Sequence, residues 1–239
     1  MKIALIGYGK MGKTIEAIAL SRHHKIVLQV NADDQNNLLE KLRATSPDVA
    51  IEFSRPEAAL QNLQICFEAN VPVVCGTTGW LEHLEAAKAD CARHKSAFFY
   101  ASNFSIGVNL FFIINKKLAE LMNYYPEYQV KIEETHHIQK LDAPSGTAIS
   151  LAKSIMDFYP NIVGWTKDDS ELRHKLPIIS HRIDDVPGTH AVTYSSEIDT
   201  IEIKHTAHSR DGFALGAVLA AEWLRGKYGF FEMKDFLEL

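Results

Sequence analysis

The chain is poor in cysteine, has no long apolar run and carries no block of basic charge. Its three cysteines, Cys66, Cys75 and Cys91, are odd in number and show no C-x-x-C spacing, which excludes a disulfide framework and a zinc knuckle and fits a reducing, cytoplasmic setting. The longest late apolar stretch, GFALGAVLAAEWL, is too short to span a bilayer, and the opening MKIALIGYGKMG has only a brief apolar run before its glycines. Neither a membrane segment nor a targeting segment is expected. The 25 basic residues are scattered and the net charge is −5, so no stripe tracks a phosphate backbone and nucleic acid is not an expected partner. There is no internal repeat, no low-complexity segment and, among 11 histidines, no H-E-x-x-H spacing.

What is there describes an α/β chain. A hydrophobic content of 46% over 239 residues supports a sizeable core, and the length suits two domains. Short apolar runs alternate with helical spacing: KIALI (2–6), KIVLQV (25–30), DVAIEF (48–53), VPVVCG (71–76) and AFFYAS (97–102), separated by helices near Met11 to Ala19, Leu38 to Leu42, Pro56 to Phe67 and Leu81 to His94. Strands apolar throughout and spaced by helices predict a parallel sheet covered on both faces. A helix rich in Phe111, Phe112, Ile113 and Leu118 follows, and then the pattern changes. EYQVKIEET alternates, a helix is expected over Ser145 to Tyr159, and PIISHRIDD, THAVTYSS and DTIEIKHTAH read as three strands joined at VPG and SSEID, predicting a mainly antiparallel sheet. The last helix, from Gly212 to about Arg225, is apolar on nearly all sides and is expected to be buried and to return to the first domain.

GYGKMG places Gly7, Gly9 and Gly12 in G-x-G-x-x-G spacing between a strand and a helix, where glycines permit a tight turn and close approach of a pyrophosphate to the helix N-terminus. A glycine-rich turn without a ligand is the plain alternative. At the end of strand two, VNADD offers Asn31, then Asp33 and Asp34, to ribose hydroxyls, and no Arg or Lys follows to hold a 2′-phosphate. The choice between NADH and NADPH therefore leans to NADH. CGTTGW ends a strand, where Gly76 and Gly79 would let backbone approach a nicotinamide and Thr77 and Thr78 offer hydroxyls; a simple turn reads equally well.

The stretch ETHHIQKLDAPSGTA, Glu134 to Ala148, gathers proton carriers and anion binders in one place. Gly146 and Thr147 begin a helix whose free N–H groups suit a carboxylate, with the Thr147 hydroxyl beside them. Lys140 supplies a charge for the same anion or a proton for a reaction. Ser145 can be no more than a helix cap, and the histidine pair an exposed loop feature. Metal ligation is disfavoured because adjacent histidines on an extended chain point apart, and no metal is expected.

Taken together, these residues resemble the signature of the 4-hydroxy-tetrahydrodipicolinate (dihydrodipicolinate) reductase family. GKMG, EFSRPEA, CGTTGW and ASNFSIGVN extend the resemblance over nearly the whole chain. It implies reduction of a small dicarboxylate by hydride from NADH or NADPH on the diaminopimelate route to lysine. It further implies that His136 is the catalytic histidine, that Lys140 is the proton donor, and that His137, Ser145, Gly146 and Thr147 hold the substrate. Gly7, Tyr8, Gly9, Lys10, Met11 and Gly12 would wrap the pyrophosphate, with Phe53 and Ser54 lining the cofactor cleft. Gly76, Thr77, Thr78 and the run Ala101, Ser102, Asn103 and Phe104 would hold the nicotinamide end. Many members have a glycine loop one residue longer and an acid where Asn31 stands. The implied architecture is a Rossmann-like domain, 1–104 plus 209–239, with an inserted α+β substrate domain, 105–208, assembling into a homotetramer.

Overall fold

The computed structural model describes residues 1–31, 36–168, 174–209 and 211–238. Asp33 and Asp34 lie outside the described residues. In chain order the elements begin with β1 (Lys2–Ile6), α1 (Lys10–Ser21), β2 (Lys25–Val30), α2 (Leu38–Thr45), β3 (Val49–Glu52), α3 (Pro56–Glu68), β4 (Val73–Cys75), α4 (Leu84–Arg93) and β5 (Ala97–Tyr100). Next come α5 (Ile106–Met122), β6 (Gln129–His136), α6 (Gly146–Met156), β7 (Gly164–Thr166), β8 (Lys175–Arg182), β9 (Gly188–Ser195) and β10 (Thr200–Ala207). The chain closes with α7 (Asp211–Leu224), β11 (Gly229–Phe231) and α8 (Met233–Phe236). It divides into one compact unit of Met1–Ile106 with Asp211–Leu239, and a second of Gly107–Arg210. No described helix is long and apolar enough to cross a membrane.

In the first unit the sheet order is β11-β5-β4-β3-β1-β2, and every pairing is parallel. Side chains alternate between the two faces, as the two-residue period of a strand requires. Ile3, Leu5, Ile51 and Phe99 pack with Ile15 of α1 and Ala217 and Val218 of α7. On the other face Ala4, Ile6, Ala50 and Phe98 pack with Leu42, Leu63, Phe67 and Cys91 of α2, α3 and α4. The small residues of α7 let it lie close: a Cβ added at Gly216 would overlap the Phe104 carbonyl oxygen. From β1 the chain winds to β2 on one side and then to β3, β4 and β5 on the other, so the loops after β1 and β3 flank the point where ligands bind in such sheets. β11, which extends the sheet beyond β5, and α8 carry too short a signal to be read from periodicity.

The second unit corrects the expectation of a mainly antiparallel sheet. Its order is β10-β9-β6-β8-β7, with β9 antiparallel to both β6 and β10, while β8 runs parallel to β6 and to β7. VPG is not a hairpin turn, because β6 lies between β8 and β9. Only SSEID closes a hairpin, where the Ser196 N–H donates to the Asp199 carbonyl at 3.0 Å. The reason is the helix α6, which follows β6 and supplies the crossover that returns the chain parallel to it. One core forms here from Ile132, Ile178, Val192 and Tyr194 of the sheet with Phe111, Ala119, Leu151 and Ile155 of α5 and α6.

Candidate functional site

In the first unit the glycine loop follows β1, and the N–H groups of Gly7 and Tyr8 donate to the Val30 carbonyl at 2.9 and 3.2 Å. Gly7 has φ +93°, and a Cβ there would overlap the Phe53 carbonyl, whereas a Cβ on Gly12 would meet the Gly7 carbonyl oxygen at 2.5 Å. Both glycines are demanded by packing. Nothing lies within 4 Å of a Cβ built on Gly9, so this backbone is open to an incoming group. Helix α1 has no side-chain N-cap and no acid in its first turn, leaving the N-terminal N–H groups of Lys10, Met11 and Gly12 suited to an anion. Tyr8 is tied by its hydroxyl to Glu16, which also accepts from Gln29 at 2.6 Å. Asn31 is exposed at the end of β2.

The loops after β3 and β4 are organised around a buried carboxylate. Glu52 accepts from the Ser54 N–H at 3.2 Å, from Asn62 at 3.2 Å and from the Ser54 hydroxyl, and the Cys75 thiol lies 3.1 Å away. Burial, with Glu52 beside it, pushes the Cys75 thiol up, away from thiolate chemistry. Thr77 is buried and its hydroxyl accepts from the Ser54 N–H at 2.8 Å, while Trp80 donates to the Thr77 carbonyl at 2.7 Å. The reason for Gly76 also changes: its missing Cβ makes room for the Phe53 ring. Phe104 is buried against Phe53 and Phe99, and Ala101 is buried too. Thr78 and Ser102 are exposed, and Asn103 accepts from the Ser105 N–H at 2.9 Å.

In the second unit, His136 and His137 differ in burial, as successive residues at the end of a strand do when their side chains turn to opposite faces. His136 is buried at the end of β6, whereas half-buried His137 lines a cavity of about 250 Å³ with Asp184 and Asp185. Two residues before His136 on the same face, Glu134 is fully buried. Its carboxylate accepts from the Ser145 N–H at 3.0 and 3.2 Å and from Ser180 at 2.8 Å, and lies 3.5 Å from both His136 and His190. Burial opposes its ionisation, but the hydrogen bonds from His136, His190, Ser145 and Ser180 outweigh that and hold the carboxyl far below the usual carboxylate range. Arg182 places Nη2 at 3.7 Å from Glu134 and donates to the carbonyls of Lys140 at 3.2 Å and Asp142 at 2.6 Å, so it fixes the loop that carries the lysine. Lys140 Nζ meets Asp142 at 2.7 and 2.8 Å.

Helix α6 opens beside this centre. Ser145 is its N-cap, accepting from the Ala148 N–H at 3.2 Å. The first turn holds no acid, and nothing lies within 4 Å of a Cβ built on Gly146. The first-turn N–H groups of Gly146 and Thr147 are not taken by the cap, an arrangement that suits an anion in the same segment as Lys140.

Two family profiles account for nearly all of the sequence: "Dihydrodipicolinate reductase, N-terminus" over residues 1–104 and "Dihydrodipicolinate reductase, C-terminus" over residues 107–237. The chain belongs to the dihydrodipicolinate reductase family. A 4-hydroxy-tetrahydrodipicolinate reductase of Christiangramia forsetii is 53% identical over 237 residues, 99% of this chain and 98% of that protein. One from Neisseria meningitidis serogroup B is 36% identical, covering 94% of this chain and 84% of its own. Among solved structures, the dipicolinate-bound dihydrodipicolinate reductase from Paenisporosarcina sp. TG-14 superposes with a TM-score of 0.77 at 24% identity, over 97% of each chain, and shares the fold. The dihydrodipicolinate reductases are pyridine-nucleotide-dependent oxidoreductases with a Rossmann-like fold. The open backbone at Gly9 and the uncapped α1 fit the pyrophosphate of such a cofactor.

Sequence reasoning missed the residues that surround the reductase signature. Glu134 stands inside the quoted stretch, and its position two residues before His136 on a strand was the available signal. Ser180, Arg182, Gly188 and His190 lie on other strands and carry no local signal. The three atoms of Glu134, His136 and His190 fall within 4.8 Å of one another, a spacing a metal ion can use. The guanidinium of Arg182 beside the same carboxylate disfavours a dication there.

Glu134 also predicts a pH dependence. Its folded-state carboxyl titrates below the unfolded value near 4.5, so its stabilising contribution is complete above that value and is lost as pH falls through the interval beneath it. The thermal midpoint of the wild type should drop more steeply than that of Glu134→Gln between about pH 5 and pH 3. Parallel melting curves across that range would remove Glu134 as the cause.

Proposed function

We propose that the protein reduces 4-hydroxy-tetrahydrodipicolinate (dihydrodipicolinate) to tetrahydrodipicolinate with hydride from NADH or NADPH, on the diaminopimelate route to lysine. The observation that carries this reading is the second unit's constellation: His136 at the end of β6, Lys140 four residues further on in the loop, and the open N-terminus of α6 with Thr147. The Met1–Ile106 unit with the C-terminal segment takes the nucleotide, and the Gly107–Arg210 unit takes the substrate. Gly146, Thr147 and His137 bind the substrate carboxylates, with Ser145 shaping the turn that presents them. Loss of water from the hydroxylated substrate leaves a conjugated ring. The bound nicotinamide supplies the hydride to that ring, and Lys140, oriented with His136 near the developing charge, gives the proton that completes the two-electron reduction.

The cofactor is NADH at least as readily as NADPH, because the β2 end offers Asn31 and no guanidinium or ammonium follows it in VNADD. Purified protein mixed with either nucleotide and the condensation product of pyruvate and aspartate semialdehyde should oxidise the nucleotide, read at its absorbance band. No oxidation with either would overturn the function, and a strong preference for NADPH in kcat/KM would overturn the cofactor reading.

Assembly into a homotetramer runs through the second unit's sheet. β10 is a sheet edge, exposed or half-buried along its length, and carries Ile201 and Ile203. Val192 is excluded from that surface because it is fully buried in the unit's own core. An unpaired eight-residue edge favours a covering partner. Sedimentation at micromolar concentration should show a tetramer, and a stable monomer would refute it. The three buried, reduced cysteines suit a cytoplasmic setting.

A further inference from the structure

Beside His136 lies a second histidine that the proposed reaction does not use. His190, on β9, is buried, and its Nε2 stands 3.3 Å from Nε2 of His136, 3.1 Å from the Ser145 hydroxyl and 3.5 Å from the Glu134 carboxylate. β6 and β9 are antiparallel with Glu134 opposite His190, which brings these side chains to one face. Gly188, two residues before His190, leaves room for the His136 ring: a Cβ there would meet its Cε1 at 2.9 Å. The ring of His136 is therefore gripped from one side by the bare backbone of β9 and met at its Nε2 edge by His190.

We infer that His190 is a positioning residue that holds the His136 ring through the contact between the two Nε2 atoms, and that it ties this placement to the Ser145 cap of α6. This rests on the reading of His136 as a participant in the reduction. A ring nitrogen either donates or accepts, and both Nε2 atoms also stand 3.5 Å from the Glu134 carboxylate, so the state of one ring decides which partner is open to the other. A change at one ring is therefore felt at the other. The Ser145 oxygen accepts from the Ala148 N–H and lies 3.1 Å from the same His190 nitrogen, which links the pair to the helix turn that presents Gly146 and Thr147. The groups facing the pair are Glu134 on β6, Arg182 on β8, Lys140 and Asp142 in the loop, and His205 opposite His190 on β10. Burial holds the His190 imidazole below its ordinary value, with His136 and Lys140 acting the same way, while Glu134 acts in the other direction.

The test uses the full-length protein with histidine ring nitrogens labelled for NMR, alongside steady-state kinetics. His190→Leu should shift the His136 ring-nitrogen signals, move the acidic limb of the kcat profile, and lower kcat on the order of tenfold or more, a part of what general acid–base catalysis supplies. His190→Gln places an amide near the same point and should restore much of kcat without restoring the wild-type acidic limb. Unchanged His136 signals in a folded His190→Leu protein would overturn the inference, as would a loss in kcat that Gln does not relieve and that leaves the pH profile intact. If His190→Leu shifts the His136 signals but His136→Ala retains full kcat, the positioning contact stands and the catalytic reading of His136 falls.

Discussion

Lys140→Ala is expected to lower kcat by roughly 10²- to 10⁴-fold, the range that a positioned general acid supplies. The lysine is placed for that task by its loop. Arg182 holds the carbonyls of Lys140 and Asp142 at 3.2 and 2.6 Å, so the backbone from which the ammonium projects is anchored to β8. The ammonium is paired with Asp142 at 2.7 Å, and that contact holds the Asp142 carboxyl below its usual range. Asp142 is largely exposed, so the pair is weak and an incoming dicarboxylate can compete for the cation. Binding of a planar dicarboxylate analogue should weaken less than kcat falls, because the N–H groups of Gly146 and Thr147 remain. Thr147→Val removes one hydroxyl from that anion site and should act mainly on KM, as expected for a contact present in ground and transition states alike. Nucleotide affinity, measured by fluorescence titration, should be unchanged in both variants. Intact kcat in Lys140→Ala together with abolished turnover in Thr147→Val would reverse the roles, and full activity in both would place the chemistry elsewhere.

Gly216→Ala should be among the most destabilising single substitutions of the first unit. α7 lies on the sheet through alanines and one glycine, and the added methyl would overlap the backbone carbonyl of Phe104 rather than the end of a flexible side chain. Relief requires α7 or the 104 backbone to move, which disturbs the packing of Ala217, Val218 and Phe99 in the same core. Overpacking of a well-packed core costs about 1–3 kcal/mol and more where backbone is the obstacle, so a loss at the upper end is expected. In a protein of this size that corresponds to a thermal midpoint lower by roughly 5–10 °C. Gly212→Ala in the same helix is the control. A Cβ there comes no closer than 3.6 Å, to the Ser105 hydroxyl, and helix propensity favours alanine by about 1 kcal/mol. Equal melting temperatures for the two variants would show that the close approach of α7 to Phe104 contributes nothing.

The glycine loop shows how far a local pattern reaches. A strand, a tight turn and a helix are each specified within a few residues, so Gly7, Gly9 and Gly12 could be placed in order on the chain before any tertiary contact was known. Their separate reasons could not. Gly7 and Gly12 are required by packing against Phe53 and within the loop, and Gly9 alone leaves the backbone open. Gly76 gave a plausible local reading as a ligand contact, but the ring that fills the space of its missing side chain comes from the end of a different strand.

By itself the sequence determined the parallel sheet of the first unit, the return of its last helix, and the one segment that carries Lys140, Ser145, Gly146 and Thr147. These are matters of period, turn chemistry and capping, which act over spans of about 2–15 residues and are written in contiguous letters. Only the tertiary structure decided that β6 lies between β8 and β9, and with that which side chains meet His136. Strand order and register depend on pairings between residues far apart in the chain, here 56 positions from Glu134 to His190, and no local propensity distinguishes one partner strand from another. The buried carboxylate, the second histidine and the arginine that holds the lysine loop are therefore properties of the folded sheet, because each becomes a neighbour only when the register is set.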